Sequence, residues 1–428
     1  IDPGMGRESF LACIASARPK RMIGIPVAYV AKRLFGKYFK TVETSVCTEA
    51  KWWTGAHALP HVADRGAGVF EPRPTTRGDM AAILFTSGST GPPKGVLYTH
   101  GIFDGQVQAI QEMYSIERGE VAVPAFPLFA LFSVAMGMTC VIPEMDPAKP
   151  AALNPAHLVE AIEDFGATMG FGSPAIWTIV GRYCEANDIQ LDSVTRMLMF
   201  GAAIPPNLME RWERIMPNGR VHTPYGATES LPVATISSEE VLAETAALSR
   251  EGRGICVGRH VDEVQVKIIE ISDAPIEAWA DASELPQGEI GEICVQGPMV
   301  TAGYDNRPLH DQLSKIQGTE TGTFWHRMGD VGYFDEKGRL WFCGRKSQRV
   351  ETSGGTMFTV PCEAIFNDHP DVYRSALVAM PAGADIVPAI FIEPEPGKFP
   401  SSASAEATFR QAMLELAKTT ALTSAIEH

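Results

Sequence analysis

The residues best suited to chemistry in this chain begin with Ile83-Leu-Phe-Thr86-Ser87-Gly88-Ser89-Thr90-Gly91-Pro-Pro-Lys94-Gly95. An apolar strand runs into a loop with four hydroxyls, three glycines and one lysine, the makings of a polyphosphate cradle in which backbone N–H groups, hydroxyls and an ammonium converge on an anion. It is not the GxxxxGK[ST] loop, because Gly95 follows Lys94 where Ser or Thr is required. Taken alone it also reads as a flexible Ser/Gly loop ending in a Pro-Pro turn. A second group is Tyr225-Gly226-Ala227-Thr228-Glu229. Tyr225 offers a flat face for a purine, Gly226 a close backbone approach, Thr228 a hydroxyl for a phosphoryl oxygen and Glu229 a hard oxygen for Mg²⁺. Asp330, in Met328-Gly329-Asp330, can accept from two ribose hydroxyls, and Arg345, in Gly344-Arg345, can donate to ribose or phosphate. Each has a plain alternative: a core aromatic, a solvated loop charge, a turn former, a surface ion pair.

These groups need a scaffold. Asn154-Pro155 starts a predicted helix through Leu158, Ile162 and Phe165, and Arg196 to Phe200 reads as a buried strand. An amphipathic helix over Asn207 to Met216 and a strand over Arg220 to Thr223 follow. This βαβ grammar predicts a mostly parallel sheet with ligands beyond the strand C-termini. Later segments, Gly258 to Ile271, Gly291 to Gln296 and Val331 to Cys343, alternate as antiparallel strands, with a hairpin turn at Asp335-Glu-Lys-Gly338. Ser272 to Gln287 and Glu393 to Ser404 read as loops, and Glu406 to Lys418 as a helix.

Composition bounds the rest. Hydrophobic residues are 45% of the chain and charged residues 20%, ordinary for a globular protein with a large core. A net charge of −15 argues against nucleic acid as a partner. The eight cysteines include no CxxC pair and sit in apolar surroundings, which suits a reducing, cytoplasmic location. Val121 to Pro143 carries no charge and is long enough to span a bilayer, but Pro124, Pro127 and Gly137 break it; no transmembrane segment is expected. The chain opens on Ile-Asp-Pro-Gly without a leader pattern, so it reads as a fragment.

Thr86 to Gly95 resembles the signature loop of the AMP-forming adenylate synthetases: acyl-CoA synthetases, peptide-synthetase adenylation domains and firefly luciferase. Gly201-Ala202-Ala203 resembles the family's adenine-contacting loop, Tyr225 to Glu229 its YGxTE motif, Met328-Gly-Asp330 its [ST]GD motif and Gly344-Arg345 the pair before its interdomain hinge, all in the family's order. The resemblance implies an α/β fold: a large N-terminal body with mixed sheets and a β-rich subdomain, residues 1–345, and a small α+β cap, residues 346–428. It implies ATP and Mg²⁺, and attack of a carboxylate on the α-phosphate to give an acyl-adenylate and pyrophosphate. It assigns Thr86, Ser87, Gly88, Ser89, Thr90, Gly91 and Lys94 to the phosphates, Gly201, Ala202, Ala203, Tyr225 and Gly226 to adenine, Asp330 and Arg345 to ribose, Thr228 and Glu229 to catalysis, and Glu229 to the metal. The segment Gly344-Arg-Lys-Ser-Gln348 lacks the Asp or Lys that the family carries at its hinge, and both ends are short of the family pattern.

The uncharged stretch Phe126 to Met138 resembles the family's PLFH motif beside the acyl pocket, with Ala130 in place of His. Phe129, Phe132, Met136 and Phe171 then read as the walls of an apolar tunnel, or equally as core packing. Tyr225 to Val233 and Gly344 to Arg349 look most like the β-lactone synthetases of bacterial olefin biosynthesis. That resemblance implies a hydrophobic 2-alkyl-3-hydroxy acid closed to a β-lactone by its own hydroxyl, with partner enzymes drawn from the same pathway. The alternative is a long-chain acyl-CoA or acyl-AMP ligase; a nucleotide-binding protein without turnover is a third reading.

Overall fold

A computed structural model describes residues 5–65, 68, 71–86, 93–146, 149, 152–382 and 385–428. The chain divides into two compact units, Ile1–Gly105 with Thr301–Asp311, and Gln106–Val300 with Gln312–His428.

The first unit starts with helices α1 (Arg7–Ala17) and α2 (Pro26–Leu34) around a parallel sheet of β1 (Arg21–Gly24), β2 (Thr44–Cys47) and β3 (His57–Ala58), with α3 (Leu59–Arg65) after it. Strands β4 (Met80–Phe85) and β5 (Gly95–Thr99) form an antiparallel pair that closes at Phe85 and Gly95, and α4 (His100–Tyr114) follows. A Cβ at Gly95 would lie 2.7 Å from Ile83 Cγ2, so only glycine lets the strands close there. Val96, Tyr98, Ile102 and Tyr304 build a small core against Ala82 and Leu84.

The second unit holds one long sheet in which parallel and antiparallel halves meet. Its parallel half, in spatial order, is β7 (Thr139–Cys140), β6 (Val121–Pro124), β8 (Met169–Gly172), β9 (Arg196–Met199) and β10 (Arg220–Ala227). Helices α5 (Pro127–Ala135), α6 (Pro155–Phe165), α7 (Pro174–Ala186) and α8 (Pro206–Ile215) alternate with these strands. Asn154 caps α6 as its sequence signal predicts, its side chain accepting from Ala156 N–H at 3.2 Å. Trp177 of α7 and Trp212 of α8 are fully buried, edge to face at 5.3 Å, with the Trp212 indole donating to the Trp177 carbonyl. Truncating either to alanine costs about 3–5 kcal/mol.

The antiparallel half continues through β11 (Ser230–Ser237), β12 (Ile255–His260), β17 (Leu340–Arg345), β16 (Phe324–Phe334), β14 (Gly291–Gln296) and β13 (Gln265–Ile269), with β15 (Lys315–Gln317) also on β16. The β16–β17 hairpin turns where expected, Gly338 N–H donating to Asp335 C=O. After it come β18 (Val350–Thr352) and β19 (Gly355–Met357), the helix Thr359–Asn367, the hairpin β20 (Val372–Ala382) and β21 (Asp385–Pro394), and the helix Ala403–Ala417. These pack a core of their own from Val350, Phe366, Leu377 and Met413. The uncharged segment 121–143 is strand, helix and strand, and among the described residues no helix is long and apolar enough to cross a membrane. All eight cysteines are free; burial raises the Cys184 and Cys256 thiols to about 11, and Cys343 and Cys362 to about 12.

Candidate functional site

In the second unit the site residues follow from two hairpins. Strand β10 turns into β11 with Ala227 paired to Ser230, so Thr228 and Glu229 occupy a two-residue loop. The register slips between Tyr225 and Ala227, a bulge centred on Gly226. A Cβ on Gly226 would stand 2.6 Å from the Ser230 carbonyl oxygen, so this glycine lets the hairpin cross itself. Glu229 is 9% exposed, and Thr228 and Tyr225 are half-buried.

The second hairpin places Asp330 of β16 directly opposite Arg345 of β17. Arg345 Nη1 donates to Asp330 Oδ1 at 2.7 Å, and the Tyr225 hydroxyl donates to Oδ2 at 2.6 Å. Asp330 is 4% exposed whereas the Arg345 side chain is 46% exposed. One end of the pair is therefore held in the protein and the other faces outward with donors to spare. Burial raises the Asp330 carboxyl above its usual range and Glu229 adds to the effect, against the pull of Arg345 and the Tyr225 hydroxyl. Burial and the Asp330 charge push the Tyr225 phenol well up, so it remains a donor. With two of its roughly four lone-pair sites engaged, the carboxylate keeps acceptor capacity for further hydroxyls.

Gly201-Ala202-Ala203 follows β9 as an exposed loop, at the C-terminal end of a parallel strand where α/β sheets gather ligands. Gly201 has φ +91°, a conformation side chains resist, with open space at its Cβ position. Beside this loop lies an aromatic cluster that sequence reasoning found only in part. The Phe129 ring lies 4.4 Å from Phe200, 5.3 Å from Phe171 and 5.6 Å from Phe132, and Phe126 reaches Phe200 at 6.3 Å. Phe200 was overlooked as the last residue of a buried strand, although its place immediately before Gly201-Ala-Ala203 was a usable signal. Met136 is buried.

A buried ion network also escaped the sequence. Glu292 accepts from Arg327 Nη2 at 2.6 Å and faces Lys346 Nζ at 3.0 Å; Arg327 and Lys346 both donate to the Ser272 carbonyl, and Arg349 pairs with Asp273 at 2.6 Å. The segment after Arg345 is thereby tied to loop 272–273. A lone Glu in the apolar run Glu292-Ile-Cys-Val was the signal, since a buried charge demands a partner. His222 is held near a pKa of about 4 by burial and then by Arg196 and Arg220, and packs edge-on against Tyr114. It stays neutral at physiological pH.

In the first unit, Thr86 N–H donates to the Lys94 carbonyl at 3.0 Å, pinning the two ends of the Ser/Gly loop. Lys94 Nζ stands 4.9 Å over the Tyr304 ring. Ser87, Gly88, Ser89, Thr90 and Gly91 lie outside the described residues.

Residues 1–305 match the family described as AMP-binding enzyme. The olefin beta-lactone synthetase of Stenotrophomonas maltophilia is 43% identical over 95% of this chain and 74% of its own length. That of Xanthomonas campestris is 41% identical over 93% and 71%. Among solved structures, the O-succinylbenzoate coenzyme A synthetase of Bacillus subtilis, in complex with ATP and magnesium ion, superposes with a TM-score of 0.72 at 19% identity, covering 96% of this chain and 76% of that one.

Proposed function

The chain belongs to the AMP-binding enzyme family, and from that premise we propose that it activates a 2-alkyl-3-hydroxy fatty acid with ATP and closes it to a β-lactone. The observation that carries the adenylating part is the buried Asp330 held between the Tyr225 hydroxyl and Arg345. A preformed carboxylate with spare acceptor sites beside an outward-facing guanidinium suits the two hydroxyls of a ribose and its phosphate. Tyr225, Gly226 and Gly201 to Ala203 are assigned to adenine, and Thr228 to a phosphoryl oxygen. Thr86 and Lys94, with the loop between them, are assigned to the phosphates.

Glu229 is the residue proposed to hold Mg²⁺. Among the described residues no group of three or more His, Cys, Asp or Glu is arranged to bind a metal by itself. A single buried carboxylate in a tight hairpin loop fits an ion shared with substrate phosphates. When bound there, Mg²⁺ offsets charge on the departing pyrophosphate.

In the first step a carboxylate oxygen of the acid attacks the α-phosphorus, and the bond to the pyrophosphate oxygen breaks. In the second the 3-hydroxyl oxygen attacks the acyl carbon of the same molecule, AMP leaves with the original carboxylate oxygen, and the hydroxyl proton is released. Because the nucleophile is tethered, no second acceptor is needed. Identity above 40% to two olefin beta-lactone synthetases over more than nine-tenths of the chain supports this second step. The cluster of Phe129, Phe132 and Phe171, with Met136 nearby in sequence, is proposed to border the acyl chain. The same reading takes residues 1–345 as the adenylating body and 346–428 as its cap, consistent with the separate core around Phe366.

The test incubates the protein with ATP, Mg²⁺ and a 2-alkyl-3-hydroxy acid, with and without coenzyme A, and identifies products by mass spectrometry. Lactone, AMP and pyrophosphate without coenzyme A are expected. A thioester formed only with coenzyme A would support a long-chain acyl-CoA ligase instead.

A further inference from the structure

Lys94 is held at both ends. Its carbonyl accepts from Thr86 N–H, and its ammonium rests 4.9 Å from the centroid of the Tyr304 ring. That ring is 5% exposed and itself firmly placed. The segment around it is stitched to β5, with Leu97 N–H donating to Gly303 C=O at 3.1 Å and Asp305 N–H to Gly95 C=O at 2.7 Å. Tyr304 N–H donates to Asp311 Oδ1 at 2.8 Å, and His310 packs edge-on against the ring at 6.3 Å. The strand that begins directly after Lys94 and the segment that carries its aromatic rest are therefore one hydrogen-bonded structure.

We propose that Tyr304 is a positioning residue for Lys94, holding the ammonium over its ring so that it meets the phosphates of ATP already oriented. This rests on the assignment of Lys94 to those phosphates. The choice of an aromatic face matters. A carboxylate in the same place would fix the lysine but neutralise it, and an incoming phosphate would have to displace an ion pair. A ring quadrupole attracts the cation without cancelling its charge. It also removes part of the rotamer freedom that a four-carbon stem would otherwise lose on binding. Burial, Lys94 and Arg307 together lower His310, so the imidazole beside the ring adds no competing positive charge near neutrality.

The experiment compares Tyr304→Phe, Tyr304→Leu, Lys94→Ala and the Lys94→Ala/Tyr304→Leu pair in ATP–pyrophosphate exchange, with melting temperature followed in parallel. Phe keeps the ring and is expected to stay within about twofold of the parent, whereas Leu should lower kcat/KM for ATP by about three- to tenfold, chiefly through KM. In the Lys94→Ala background the Leu substitution should add nothing. Equal behaviour of Phe and Leu would overturn the proposal, as would a Leu effect undiminished without Lys94. If Lys94→Ala leaves the ATP parameters unchanged, the phosphate assignment itself fails and takes the proposal with it. Should Tyr304→Leu fold poorly, Tyr304→Met fills similar volume without a ring and is read by the same criteria.

Discussion

Asp330→Asn separates binding from stability in one substitution. Asn is nearly isosteric with the protonated acid, so Arg345 can still donate to its oxygen and the Tyr225 hydroxyl can still find a partner. What disappears is the negative charge and one acceptor. Two hydroxyls bonded to a carboxylate are worth about 1.5–3 kcal/mol each; losing one and weakening the other to a neutral bond removes about 2–4 kcal/mol. At 1.4 kcal/mol per tenfold, kcat/KM for ATP should fall about 30- to 700-fold. Stability should move the other way. Burial raises the folded-state pKa of Asp330 above its unfolded value. The stability linked to it is therefore complete below the unfolded value and is lost as pH rises through the raised one. At neutral pH the parent carries that penalty and Asn does not. The variant should melt no lower than the parent at pH 7, and any advantage should shrink in acid. Kinetics by pyrophosphate exchange and melting by calorimetry across pH check both halves. Unchanged ATP kinetics, or a loss of activity matched by a collapse in melting temperature, would refute the assignment of Asp330 to ribose.

Three further outcomes follow from the same structure. Glu229→Gln keeps the hairpin loop but weakens a metal oxygen, so AMP formation should drop at least tenfold and shift to higher Mg²⁺ demand; turnover with an unchanged magnesium titration would remove its metal role. Arg327→Met removes the hydrogen-bonded partner of Glu292, whose side chain is 1% exposed, and leaves Lys346 as its remaining cation; it should cost about 2–4 kcal/mol in urea unfolding, less than a fully unpaired buried charge, while Arg327→Met with Glu292→Gln recovers part of that. A loss below about 1 kcal/mol would contradict the buried-charge argument. Phe171→Ala removes a fully buried ring and should cost about 3–5 kcal/mol. If Phe171 borders the acyl chain, the preferred acid should also lengthen; an unchanged chain-length profile would make it core packing alone.

Much of the architecture was legible because local signals agreed with the tertiary outcome. Asn154-Pro155 started a helix, Asp335 to Gly338 made a turn, and the alternation of helix and strand before residue 226 corresponds to the parallel half of the sheet. Strand β10 ran further than its pattern suggested, through Pro224 to Ala227. A proline normally argues against a strand interior. Here β10 pairs with β9 only as far as His222, so Pro224 sits where that side of the strand has no ladder to serve. The candidate site residues in Tyr225 to Glu229, Asp330 and Arg345 stood out by their motif spacing, but the contact between Tyr225, Asp330 and Arg345 did not. Tyr225 and Asp330 meet although 105 residues separate them, a consequence of sheet order that no local pattern encodes. The network of Glu292, Arg327 and Lys346 was hidden for the same reason.

The central claim is that a carboxylate oxygen of the acid ends on AMP while its own hydroxyl closes the ring. A 2-alkyl-3-hydroxy acid labelled with heavy oxygen in both carboxylate positions, turned over with ATP and Mg²⁺ and no coenzyme A, tests it in one mass spectrum. One labelled oxygen is expected in AMP and the other in the lactone carbonyl. Unlabelled AMP, or AMP released with no lactone formed, would contradict it.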